Sequence, residues 1–102
     1  MTIEPVRNEV ARFAIRMERK LLENDHKGGW DHCNFGYLFK RLEEELKEAK
    51  SAAGELTATT WDAEGDLDGI AEAAIDELAD VANFAMMIAD KIRTGSMGKG
   101  PQ

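Results

Sequence analysis

The sequence predicts an all-α protein: a helical bundle of three main helices, with room for a fourth short one, completed by homo-oligomerisation. Three observations carry this. Apolar residues recur at intervals of three and four in three long stretches, no stretch alternates with the period of two that marks a strand, and the third stretch is apolar on more than one side. A chain of 102 residues has little material with which to cover such a helix alone.

The first helix is expected from about Ile3 to Leu22. Thr2 can cap it, Pro5 falls in its first turn and Glu4 favours its dipole. Val6, Val10, Phe13, Met17 and Leu21 form its apolar stripe. Arg7, Arg12, Arg16, Arg19 and Lys20 supply the opposite surface, solvated or paired with Glu9, Glu18 and Glu23. The next stretch, Asn24-Asp25-His26-Lys27-Gly28-Gly29-Trp30, is a loop by its paired glycines and turn formers. Two readings of it stand side by side. Trp30 caps the end of the bundle and Lys27 is solvated, or His26, Lys27, Trp30 and the flexible Gly-Gly backbone contact a ligand.

The second helix begins near Asn34 and reaches about Ala53, with Gly54 as its stop. Phe35, Leu38, Phe39, Leu42, Leu46, Ala49 and Ala53 make its core stripe, and Glu44, Glu45 and Glu48 lie on one flank, Glu45 nearest the apolar edge. From Glu55 to Asp66 no periodicity is sustained, which predicts a loop of lid or interface length with Trp61 packed on the bundle.

The third helix opens at Asp66 or Asp68 and runs to about Arg93. Its stripe is Ile70, Ala71, Ala74, Leu78, Val81, Ala82, Ala85, Ile88, Ala89 and Ile92, bordered by Glu77 and Asp80. Ala79 and Met86 make a second side apolar, Phe84 and Met87 a third. The domain spans residues 1–93, and the glycine-rich 94–102 reads as a flexible tail.

The formal charge of −7 argues against a nucleic acid polymer as partner. The single cysteine, Cys33, allows no internal disulfide, and no signal-peptide pattern or membrane-spanning apolar run is present, so the expected location is cytoplasmic without membrane association.

The chemistry lies in acids on two helices. Glu44, Glu45 and Glu48 project from one side of the second helix, Glu77 and Asp80 from one side of the third, and both sets adjoin a core stripe. If the two helices pack antiparallel, the carboxylates converge and repel, and they then need protons, basic partners or metal ions. Oxygen ligands suit Mg²⁺ or Mn²⁺. His26, His32 and Cys33 lack the spacing of a zinc site, and the Glu-x-x-His pairs of a di-iron bundle are absent. Mg²⁺ held by a few carboxylates keeps positions for water and phosphate oxygens, which points to a phosphate-containing substrate.

Glu44-Glu45 followed by Glu48, then Glu77-x-x-Asp80, resembles the E-E-x-x-E … E-x-x-D pattern of the MazG-like all-α nucleoside triphosphate pyrophosphohydrolases. Asp80-Val81-Ala82-Asn83 is similar to the D-V-x-N continuation of that family, and NDHKGGW with ANFAMMIADK resembles its short phage-type members, some of which act on dATP and dGTP. The span from Glu48 to Glu77 is longer than is usual there.

The resemblance implies a dimer or a dimer of dimers with Mg²⁺, or Mn²⁺ in its place, held by Glu45, Glu48, Glu77 and Asp80. It makes Glu44 the first candidate to orient or deprotonate the attacking water, with Glu45 the other catalytic candidate. The implied reaction is hydrolysis of a nucleoside triphosphate, a purine dNTP by the phage-type likeness, between the α and β phosphates to give a monophosphate and pyrophosphate. If the source is a phage, the location is the host cytoplasm. Lys27, Lys91 and Arg93 are candidate phosphate contacts, Asn83 a contact to sugar or phosphate, and Trp30 a platform for the base. Lys91 and Arg93 read equally well as cations at a helix C-terminus. Two other classes remain open: a helical oligomeric protein-binding module built on Trp30, Trp61 and the methionines, and a nucleotide sensor without turnover.

Overall fold

The computed structural model describes residues 5–59 and 67–95. Among them the chain forms α1 (Asn8–Glu23), a 3-10 turn (Asp25–Lys27), α2 (Phe35–Thr59) and α3 (Leu67–Thr94), with no strand. At about 1.5 Å per residue, α2 and α3 are roughly 37 and 42 Å long.

α1 starts later than its apolar spacing suggests. Arg7 is extended at φ −64° and ψ 148°, and its carbonyl accepts the Ala11 N–H at 2.9 Å, so Arg7 is the cap and Pro5 precedes the helix. Val6 is 61 % exposed, so no packing rewards an earlier turn. Thr2 lies outside the described residues. At the other end the Asn24 N–H reaches the Leu21 carbonyl at 3.0 Å and its side-chain amide donates to the Lys20 carbonyl at 3.0 Å.

The 3-10 turn leads into Gly28 at φ 88°, a left-handed conformation that a side chain would strain. Asn34 then starts α2: its Oδ1 accepts the Tyr37 N–H at 2.7 Å and its carbonyl accepts the Leu38 N–H at 3.1 Å. α2 passes through Gly54 rather than stopping there. A glycine inside a helix costs only about 1 kcal/mol. Against this, the next turn half-buries Leu56, and Thr57 Oγ1 donates to the Ala53 carbonyl at 3.1 Å. The first five residues of the expected loop are therefore helical. The rest of it, with Trp61 and the Asp66 cap, lies outside the described residues, as does most of the expected tail. α3 has Asp68 in its first turn and ends at Gly95, φ 73°, whose N–H bonds the Ile92 carbonyl at 3.1 Å.

The helices run up, down and up, with α3 packed against both others. α2 is antiparallel to α3, since Arg41 meets Phe84 while Glu45 and Glu48 meet Glu77. α1 runs alongside α3 in the same direction. Arg16 pairs with Glu72 at 2.7 Å and Asp76 at 3.0 Å, and Lys20 lies 3.9 Å from Asp80. These two cations thus face α3, rather than being merely solvated or paired along their own helix.

The buried apolar core is small: Leu38, Ala49, Ala74, Ala79 and Ile88. The α3 stripe read from the sequence is split. Ala74 and Ile88 are covered, but Leu78 is 44 % and Ile92 57 % exposed, with Ala85 and Ala89 exposed between them. Two neighbours cannot cover three apolar sides. Val10, Ile15, Leu22, Phe39 and Leu46 are likewise exposed. Among the described residues no helix is long and apolar enough to cross a membrane.

Candidate functional site

Glu45 and Glu48 stand one turn apart on α2, and the antiparallel packing sets Glu77 of α3 beside them. One carboxylate oxygen from each lies within 4.8 Å of the others. Glu45 is only 6 % exposed, Glu77 is partly covered and Glu48 opens to solvent. Asp80, one turn on from Glu77, is partly covered next to Lys20.

Burial, then the charge of Glu48, holds the Glu45 carboxyl above its ordinary range, with Asp80 and Glu77 adding to this and Arg41 opposing it. Burial also raises Glu77, reinforced by Glu48 and Asp80 against Lys20. For Asp80 burial again leads; Lys20 opposes it, while Asp76, Glu23 and Glu48 push the same way as burial. Each carboxylate thus meets a cost that a cation would relieve.

The donor set and its spacing fit a hard divalent ion. Oxygens on opposite sides of one such ion stand about 4–5 Å apart, and Mg²⁺, Mn²⁺ and Ca²⁺ all prefer carboxylate oxygen. Glu77 also leaves Oε2 buried with no hydrogen-bond partner. A buried acceptor without a donor is costly, and a cation or a donor beside it would lower that cost.

Beside the acids is a cavity of about 300 Å³ with Glu45 and Asp80 in its wall. That volume is at the small end of the range for small-molecule sites. Cations reach it from three elements: Lys20 of α1, Lys27 of the 3-10 turn and Arg41 of α2. Trp30, Tyr37 and Phe84 provide aromatic surface, and Asn83 forms part of the lining.

The fold therefore brings Glu45, Asp80, Lys27, Trp30 and Asn83 to one cavity, with Glu48 and Glu77 in the acid cluster adjoining it. Trp30 is held there by its indole N–H, which donates to Asp90 Oδ2 at 3.2 Å. Asn83 is 3 % exposed and donates Nδ2 to the Met17 carbonyl at 3.0 Å, while its Oδ1 is buried with no partner.

The other sequence candidates stand elsewhere. Glu44 is exposed and bonded to Arg41, outside the three-acid cluster. Lys91 is 5 % exposed, donates Nζ to the Asp31 carbonyl at 3.1 Å and does not line the cavity. Arg93 reaches Asp90 at 3.1 Å with its side chain 80 % exposed, also away from the cavity.

Two cations of the cavity wall, Lys20 and Arg41, escape the sequence reading. Lys20 looks like one more surface base of α1, and only the turn of that helix toward α3 brings it to Asp80. Burial lowers its ammonium, yet Asp80 and Glu23 outweigh this and carry it above its ordinary value. Arg41 carried a local signal, since a base three and four residues before Glu44 and Glu45 can reach both. It bonds Glu44 Oε1 at 2.5 Å and Glu45 Oε2 at 3.2 Å, with its guanidinium carbon 5.3 Å from the centre of the Phe84 ring.

No family model, curated protein or solved structure matches the chain.

Proposed function

We propose that the chain is a metal-dependent nucleoside triphosphate pyrophosphohydrolase of the MazG-like all-α kind, cutting between the α and β phosphates to release a nucleoside monophosphate and pyrophosphate. The observation that carries this reading is the meeting of Glu45, Glu48 and Glu77 from two antiparallel helices, with ligand oxygens within 4.8 Å, beside a cavity lined by cations and Trp30.

Glu45, Glu48 and Glu77 would hold Mg²⁺ or Mn²⁺, with Asp80 as a further ligand. The metal, when bound, supplies charge that neutralises the phosphates and lowers the pKa of the attacking water. The chain's own groups do the rest. Lys27 and Lys20 draw the phosphates inward, Trp30 presents a face for the base, and a glutamate takes the water's proton, either Glu45 within the acid cluster or its exposed neighbour Glu44. Purine dNTPs are the proposed substrates, on the strength of the motif resemblance alone.

We propose also that the protein works as a homo-oligomer, dimer or dimer of dimers. The exposed row Leu78, Ala85, Ala89 and Ile92, with Phe39 and Leu46 on α2, supports this, because such surfaces mark contacts between chains. The same exposure supports a second reading, a protein-binding module in which the acids are structural.

One assay separates them. Purified protein is incubated with each common NTP and dNTP and Mg²⁺, and products are followed by anion-exchange chromatography. Pyrophosphate and a monophosphate are expected from at least one nucleotide, and Glu45→Gln abolishes their release while the helical circular dichroism persists. Inorganic phosphate with a diphosphate means another bond is cut. Intact triphosphate throughout removes the enzyme reading, with nucleotide binding then marking a sensor and its absence the module.

A further inference from the structure

Arg41 occupies a position that its ion pairs alone do not account for. Its guanidinium forks to Glu44 and to the buried Glu45, lies against Phe84 and borders the cavity that also holds Lys20, Lys27 and Trp30. Glu45 belongs at the same time to the three-acid cluster. One buried carboxylate is thus shared between a cation of the chain and the place where an ion fits.

We propose that Arg41 is an exchangeable counter-ion, holding Glu45 while no divalent ion is bound and turning to the anionic phosphates of the ligand once an ion has taken that carboxylate over. This rests on the metal reading of the acid cluster. A guanidinium is suited to the task. It stays charged at any working pH, its planar fork matches carboxylate and phosphate oxygens alike, and the Phe84 face keeps it in place as it changes partners. Binding of ion and ligand is then ordered: the ion frees the base that the polyphosphate needs. Without the ion, the cavity offers a polyphosphate an arginine already engaged and a wall of carboxylates.

The test titrates Mn²⁺ into wild-type protein, Arg41→Met and Arg41→Lys by calorimetry, and then titrates the α,β-methylene analogue of dATP into each Mn²⁺-loaded protein. Arg41→Met is expected to bind Mn²⁺ at least as tightly as the wild type, having lost a competitor, and to bind the analogue at least tenfold more weakly, with Arg41→Lys recovering part of the loss. Weaker Mn²⁺ binding in Arg41→Met makes the residue a brace for Glu44 and Glu45 and overturns the exchange. Unaltered analogue affinity overturns it as well, and leaves the metal reading standing. A wild-type protein that binds no Mn²⁺ overturns both.

Should Arg41→Met fail to fold, arginine side-chain NMR of the wild type decides. The Arg41 Nε–H signal is expected to move on adding Mg²⁺ and again on adding the analogue. A signal that answers neither addition overturns the proposal.

Discussion

Trp30 and Asp90 are joined across sixty positions of sequence by a 3.2 Å hydrogen bond from the indole N–H to Oδ2. The neighbouring residues repeat the link, Lys91 Nζ donating to the Asp31 carbonyl at 3.1 Å. The last turns of α3 thereby clamp the segment between α1 and α2, which turns at the positive-φ Gly28. The aromatic wall of the cavity is thus fixed from the helix that also carries Glu77 and Asp80.

Breaking the clamp should loosen that wall before it unfolds the bundle. Asp90→Ala removes the partly buried hydrogen bond to Trp30 together with the exposed Arg93 pair, a loss of about 1 kcal/mol in urea unfolding that comes mainly from the first. It should weaken binding of a dNTP analogue several-fold, whereas Asp90→Asn, which keeps an acceptor, should lie near the wild type in both. Equal affinity in Asp90→Ala and wild type would mean that Trp30 does not contact the nucleotide.

The acid cluster predicts opposite effects of one substitution on stability and on metal binding. Glu77→Gln keeps the volume and removes a charge that faces Glu48 and Asp80. With solvent screening at the open side, relief of the repulsion is worth on the order of 1 kcal/mol. The melting temperature of the metal-free protein should therefore rise, while Mn²⁺ affinity by calorimetry falls at least tenfold. A purely structural role for Glu77 gives the first effect without the second.

Stability should also run the wrong way with pH for an ordinary acidic protein. Glu45, Glu77 and Asp80 all hold their protons more tightly in the folded chain than in the unfolded one, because burial and neighbouring carboxylates disfavour the charged form. From the ordinary glutamate value of 4.5 upward through the raised folded values, the folded state binds more protons than the unfolded state. Stability in that window falls as pH rises. Metal-free protein should thus melt at a higher temperature near pH 5 than at pH 7, and saturating Mg²⁺ should flatten or reverse the trend by stabilising the ionised forms.

The helices and the acid-bearing faces were legible because periodicity reports which side of a helix is apolar. Glu45, Glu48 and Glu77 sit at helical spacings beside such sides, and antiparallel packing of consecutive helices does the rest. What the sequence could not report is rotation. Leu78 and Ile92 belong to the same apolar stripe as Ala74 and Ile88, yet the first two face outward, because three apolar sides meet only two neighbouring helices. Lys20 was hidden for the same reason, since its role depends on which side of α1 turns to α3. Gly54 was misleading in another way. Its local preference to end a helix is worth about 1 kcal/mol, less than packing on the following turn can return.

That outward row leads to the last expectation. Leu78, Ala85, Ala89 and Ile92 recur at seven, four and three residues, a continuous apolar line along α3 with small residues at its centre that let a second helix approach closely. A single chain has no further helix among its described residues to lay there. A glutamate at either large position places a charge in the middle of any contact that forms, and two-fold pairing would place it against its own copy. Sedimentation equilibrium should show the wild type as a dimer or larger, with Leu78→Glu or Ile92→Glu shifting it toward monomer at micromolar concentration and Glu43→Gln, on an exposed turn of α2, leaving it unchanged. If the wild type sediments as a monomer, the row is a docking face for a different protein, and the module reading of the chain gains what the oligomer reading loses.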